Sequence, residues 1–126
     1  MLDSFDFSFE IKDEITVINI LLNRATLAKA VTFKEYIGEL IAKGSNKIVI
    51  DLSTCEYVDS TFLGAMVALL KKVNSINGDL RLVYNKEMPS LVFVLTRMDK
   101  VFKVFPNLEE AMESFGGGNQ SFSGSN

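Results

Sequence analysis

The chain has no histidine and a single cysteine among its 126 residues. Without histidine it lacks the usual imidazole general base, the usual zinc ligand and any phosphohistidine relay. One cysteine, Cys55, cannot form an internal disulfide, which points to a reduced, cytoplasmic setting. No basic–apolar signal peptide opens the sequence. The longest wholly apolar run, 65–70, is far short of the roughly 20 residues that span a bilayer, so a soluble protein without a membrane partner is expected. Cations are also not in excess: 13 Lys and Arg face 16 Asp and Glu, a net charge of −3. Nucleic-acid affinity comes largely from cations that displace counterions from phosphates, which argues against a DNA or RNA partner.

What is present is ordinary globular composition, 48% apolar and 23% charged. A chain of this length fits one domain, which buries roughly two-thirds of its unfolded surface. Phe5, Phe7, Phe9 and Ile11 alternate with polar residues, the period of a half-buried strand. Residues 14–22 read as its partner, with Lys12-Asp13 as a short hairpin turn. Leu27, Ala30, Val31, Ile37, Leu40 and Ile41 recur at helical spacing, and Lys43-Gly44 supplies a helix end. The apolar run Ile48-Val49-Ile50 suits a strand covered on both faces. A deeply packed helix then runs to about Ile76, broken by Asn77-Gly78-Asp79, and LRLVY at 80–84 is another buried strand. Pro89-Ser90 opens a helix through about Arg97, 101–105 is a short strand or extended segment, and Asn107 caps a last helix with Glu110 as reciprocal partner. The order β-β-α-β-α-β-α-β-α predicts an α/β domain, a mixed sheet carrying about four helices. From Gly116 the composition turns to GGGNQSFSGSN, a Gly/Ser-rich tail expected to be flexible.

The chemistry-bearing stretch is DLSTCEYVDSTFLG, residues 51–64. Asp51 ends a central strand and Asp59-Ser60-Thr61 opens the next helix, at the sheet edge where α/β ligand and partner sites gather. Three readings are open. Asp59, Ser60 and Thr61 can be helix caps, each worth about 1 kcal/mol, although one cap suffices. Asp51 can be a metal or phospho-aspartate site, although the acidic pair and lysine such sites use are missing. Or a hydroxyl can be phosphorylated, since a helix N-terminus tolerates an anion. Cys55 reads as a small loop or core hydrophobe rather than a redox sensor, Met66 as core, Gly64 as allowing close helix–sheet approach, and Lys71-Lys72 as a solvated face.

The stretch IVIDLSTCEYVDSTFLGAMVALLKKV resembles the core of STAS domains, the fold of bacterial anti-sigma factor antagonists. Asp51-Leu52 and Asp59-Ser60-Thr61-x-Leu63-Gly64 match the family pattern, and 91–112 resembles its closing helix, strand and helix. The resemblance implies a STAS-type domain over 1–115 with a mixed, mostly parallel sheet. It also implies a non-catalytic switch, in which the unphosphorylated antagonist binds an anti-sigma factor that is itself a serine kinase and so releases a sigma factor. Phosphorylation breaks the complex and a phosphatase restores it. ATP belongs to the kinase, and the antagonist needs no cofactor or metal. Carried onto this chain, the acceptor is Ser60, with Thr61 second. The expected partner-binding set is Asp59, Ser60, Thr61, Phe62 and Arg24. Two departures stand out. Phe62 replaces the family's usual Gly, its ring either tucked inward or projecting at the partner surface. The family's Gly-x-Leu-Asp after the second strand is replaced by Leu22-Asn23-Arg24-Ala25-Thr26, where Arg24 could pair with a phosphate or be a solvated loop cation. The alternatives are a STAS interaction module in a larger signalling or transport assembly, and a small enzyme or nucleotide binder using Asp51 and Asp59.

Overall fold

A computed structural model of the chain describes residues 4–84, 97 and 100–116. Its sheet is built on β1 (Phe7–Lys12), β2 (Ile15–Ile20), β4 (Lys47–Asp51), β6 (Asp79–Val83) and β7 (Val104–Phe105), in that spatial order. The hairpin β1–β2 is antiparallel and every other pairing is parallel, so the sheet is mixed and mostly parallel. Helices α1 (Leu27–Ala42) and α2 (Ser60–Asn74) are the crossovers between the parallel strands, and a third, α3 (Leu108–Glu113), follows β7.

The alternation of side chains along each strand sorts the core into two layers. Ile18 and Ile20, Ile48 and Ile50, and Leu80 and Leu82 face α1 and α2. Ile15, Val17, Val49 and Val83 face the other way, toward Ala111, Leu108 and Met112 of α3. That two-sided cover is why the run at 48–50 carries no polar residue. Arg81 fastens α3 to the sheet: it donates to Asp79 (2.9 Å) and Ser114 (2.6 Å), and its guanidinium lies 4.0 Å from the Phe115 ring centroid.

Several boundaries differ from the sequence reading. The pair Lys12–Ile15 closes the hairpin, so the turn is Asp13-Glu14, one residue later than expected, with φ of 52° and 68°. Positive φ at both residues is the type I′ geometry, one of the two that two-residue hairpins favour. In β1 only Phe7 and Phe9 lie under α1, where Tyr36 meets both rings; Phe5 precedes the strand and Ile11 overhangs near the turn, and both are exposed. In α1 the buried stripe is Ala30, Phe33, Tyr36, Ile37, Leu40 and Ile41. Leu27 and Val31, expected on that stripe, are 66% and 67% exposed. With 3.6 residues per turn they fall to one side of the arc that Phe33 and Tyr36 centre on the sheet. Gly44 does end the helix with φ of 112°. Of 101–105 only Val104–Phe105 pairs as strand. The helix expected over 89–97 lies, but for Arg97, outside the described residues, as does the tail beyond Gly116.

Two short strands were not anticipated. β3 (Arg24–Ala25) and β5 (Tyr57–Val58) form a parallel ladder of their own just ahead of α1 and α2. Their backbone bonds continue into the helix starts, with Asp59 N–H donating to the Ala25 carbonyl at 3.0 Å. The two helices therefore begin side by side.

Candidate functional site

The last residue of β5 is Val58, and the next, Asp59, holds extended backbone as the N-cap of α2. Its Oδ1 accepts from the Phe62 N–H at 2.8 Å, the ordinary capping bond. Its Oδ2 accepts from the Leu27 N–H at 2.7 Å, the first amide of α1. Helix α1 has no capping side chain of its own, since Thr26 makes no such bond. One carboxylate thus serves two helix openings, both of which present unpaired N–H groups and the positive end of a helix dipole. The sequence separation of 32 residues kept this pairing out of reach of local pattern reading.

Because Asp59 does the capping, Ser60 and Thr61 have no such duty. Both are exposed, and among the described residues no hydrogen bond engages either hydroxyl. The other residues expected beside them divide. Phe62 is fully buried and its ring stacks on Phe33 with centroids 4.4 Å apart. It fills the space between α1 and α2, so its expected place in the partner-binding set is withdrawn: an aromatic ring at this offset from the cap lies on the buried stripe of α2. Met66 is fully buried as expected. Gly64 does not allow a close approach, contrary to expectation; it is exposed, and a Cβ built there would meet nothing within 4 Å.

Arg24 lies at the same edge but is engaged with an aromatic face. Its guanidinium carbon sits 4.3 Å from the Tyr57 ring centroid, across the β3–β5 ladder. It remains exposed. Asp51, at the carboxyl end of β4, accepts from the Ser53 N–H at 2.9 Å and shapes the following turn. It borders a shallow hollow of about 200 Å³ with Asn19 and Thr54. Asp59, with both oxygens committed to helix amides, is occupied elsewhere, and among the described residues no group of three Asp, Glu or Cys could hold a metal ion. Cys55 is buried, with its thiol toward the carbonyls of Asn23 and Tyr57. Burial pushes its pKa up, partly offset by backbone hydrogen bonding at Tyr57 and Ala25, so it sits poorly as a thiolate nucleophile. No described helix is long and apolar enough to cross a membrane.

Two residues beside the site escaped the sequence reading. Leu27, whose N–H bonds Asp59, and Val31, one turn farther along α1, were taken there for core and stand exposed.

The STAS domain family model matches residues 7–111. A Thermotoga maritima protein named provisionally as an anti-sigma factor antagonist is 36% identical over 110 residues, 85% of this chain and 95% of the relative. The anti-sigma-F factor antagonist RsfB of Mycobacterium tuberculosis is 29% identical over 92 residues, 73% of this chain and 75% of the relative. A crystal structure of a Thermotoga maritima protein with the same provisional name, TM1081, superposes with a TM-score of 0.77 at 33% identity, covering 86% of this chain and 92% of the other.

Proposed function

The chain belongs to the STAS domain family, and from that premise we propose that it is an anti-sigma factor antagonist switched at Ser60. In its unphosphorylated form it binds an anti-sigma factor that is a serine kinase. Transfer of a phosphate to Ser60 ends the complex, and a phosphatase returns the chain to its binding form. Thr61 is the second acceptor, and Arg24 is a cation near the same edge. The chain itself performs no catalysis and carries no cofactor.

The observation that carries this reading is the exposed hydroxyl of Ser60, which no hydrogen bond engages among the described residues, beside a cap supplied entirely by Asp59. A hydroxyl with no structural task can be modified without dismantling the fold. The energetics suffice. A hundredfold loss of affinity needs only about 2.8 kcal/mol. A phosphate carries about −1.5 to −2 charge, and an unpaired anion trapped in an interface costs several kcal/mol. A single modification therefore decides binding without refolding.

The test is intact-mass measurement after incubation with ATP and each anti-sigma factor kinase of the same genome. Wild type should gain one phosphate and Ser60→Ala none. A phosphate retained by Ser60→Ala would move the acceptor, first to Thr61. A Ser60→Asp variant that binds the kinase as tightly as wild type would remove charge as the cause of release.

A further inference from the structure

We propose that the partner surface is not confined to the opening of α2 but runs across the seam between α1 and α2, with Leu27 and Val31 as its apolar contacts. Its occupant is the anti-sigma factor that reads Ser60; the proposal rests on that reading for the partner and adds the surface it grips.

The relative placement of the helices is fixed at two points. At one end Leu27 N–H meets Asp59 at 2.7 Å. Eleven residues along α1, the Cβ position of Gly38 lies 3.8 Å from the Lys72 Nζ, thirteen residues along from Asp59. The helices therefore run parallel and nearly level, and Leu27, Val31 and Gly38, at i, i+4 and i+11, form a row on the side of α1 that borders α2. Val31 stands about level with Gly64.

Charge is sparse in this field. The exposed residues in the first turns of α1 are Leu27, Ala28, Val31 and Thr32, and those of α2 are Ser60, Thr61, Gly64 and Ala68. Lys29 is drawn aside by Asp6 at 2.8 Å. Exposed charges on the helices begin farther along, at Lys34, Glu35, Lys71 and Lys72, while Arg24 stands exposed just ahead of α1 with its guanidinium against the Tyr57 ring. The surface thus calls for a partner with an apolar ridge and carboxylates placed over those lysines. Gly64, exposed on α2, adds no side chain to the field, and among the described residues nothing lies within 4 Å of where its Cβ would stand. Continuity ties the field to Ser60: Asp59 is hydrogen-bonded to Leu27 and covalently joined to Ser60, so a protein seated on one reaches the other. A dianion at Ser60 would then stand at the dry end of the contact, remote from the helix lysines, with the nearer cation, Arg24, held against the Tyr57 ring.

Val31→Glu tests this, because an exposed side chain can be changed without disturbing the core. Affinity for the anti-sigma factor is measured by calorimetry without ATP, so the result does not depend on phosphate transfer. Val31→Glu should bind at least tenfold more weakly at an unchanged melting temperature, while Ile76→Glu, at the far end of α2, should bind as wild type does. A folded Val31→Glu protein that binds within twofold of wild type overturns the surface. So does sedimentation in which wild type is a dimer that Val31→Glu dissociates while anti-sigma factor binding persists, because the occupant is then a second copy. A chain that takes no phosphate yet loses binding in Val31→Glu keeps the surface and loses the switch. Wild type that binds no anti-sigma factor loses both.

Discussion

Asp59 is the residue on which most of the local geometry turns. Both of its oxygens accept from amides that open helices, one in its own chain segment and one 32 residues away. Each capping bond is worth about 1 kcal/mol, so Asp59→Ala should destabilise the domain by roughly 2 kcal/mol in urea unfolding. Asp59→Asn keeps one acceptor oxygen and should fall about halfway between. Equal losses for the two variants would mean that the carboxylate charge, not the count of acceptors, holds the helices. Cys55 makes a contrasting case. Its raised pKa means the folded state holds the thiol proton more firmly than the unfolded chain does. The stability this contributes is full below the unfolded value of about 8.5 and fades as pH rises above it. Reaction with a thiol reagent at pH 8 should accordingly be slow in the native protein and rapid in denaturant; equal rates would show that the thiol is open.

At the scale of elements, two glycines near α2 differ in what they do. Gly78 lies where the chain leaves α2 for β6, and a Cβ there would stand 2.1 Å from the Asn46 carbonyl oxygen and 2.6 Å from Val73 Cγ1. Backbone cannot yield as a side-chain tip does. Gly78→Ala should destabilise by about 2 kcal/mol or more, at the upper end of overpacking costs. Gly64 meets nothing, and replacing an exposed mid-helix glycine with alanine should raise stability by about 1 kcal/mol. Thermal unfolding of the two variants should move in opposite directions; the same sign for both would contradict the packing described. The C-terminal helix illustrates how a local signal can be read with only its details missed. Asn107 does accept from the Glu110 N–H at 2.9 Å, but the return bond to the Glu110 carboxylate comes from the Asn107 side-chain amide rather than from its backbone N–H.

For the molecule as a whole, the succession of the main strands and helices along the chain followed from patterns confined to short windows: the all-apolar run at 48–50, the alternation around Phe7, the breakers at Gly44 and Asn77-Gly78. What stayed hidden depends on contacts between distant segments. Leu27 and Val31 have core-like spacing, and only the docking of Phe33 and Tyr36 decides which arc of α1 is buried. Phe62 could have pointed either way until Phe33 supplied its neighbour. At the site, Asp59, Ser60 and Thr61 were legible because they adjoin in sequence, whereas the second amide bound by Asp59 was not. The paired two-residue strands were invisible for the same reason, being too short to carry a period.

Those paired strands impose a rule of spacing on the chain. Arg24 lies opposite Tyr57 and Ala25 opposite Val58, so the connection at 52–56 has a fixed number of residues in which to bring the second segment level with the first. Removing one residue there would slip the ladder and rotate the opening of α2 by nearly a third of a turn, carrying the serine off its shared face with every nearby side chain still in place. Exposed positions such as Ser53 and Glu56 are free to vary, but the loop's length is not.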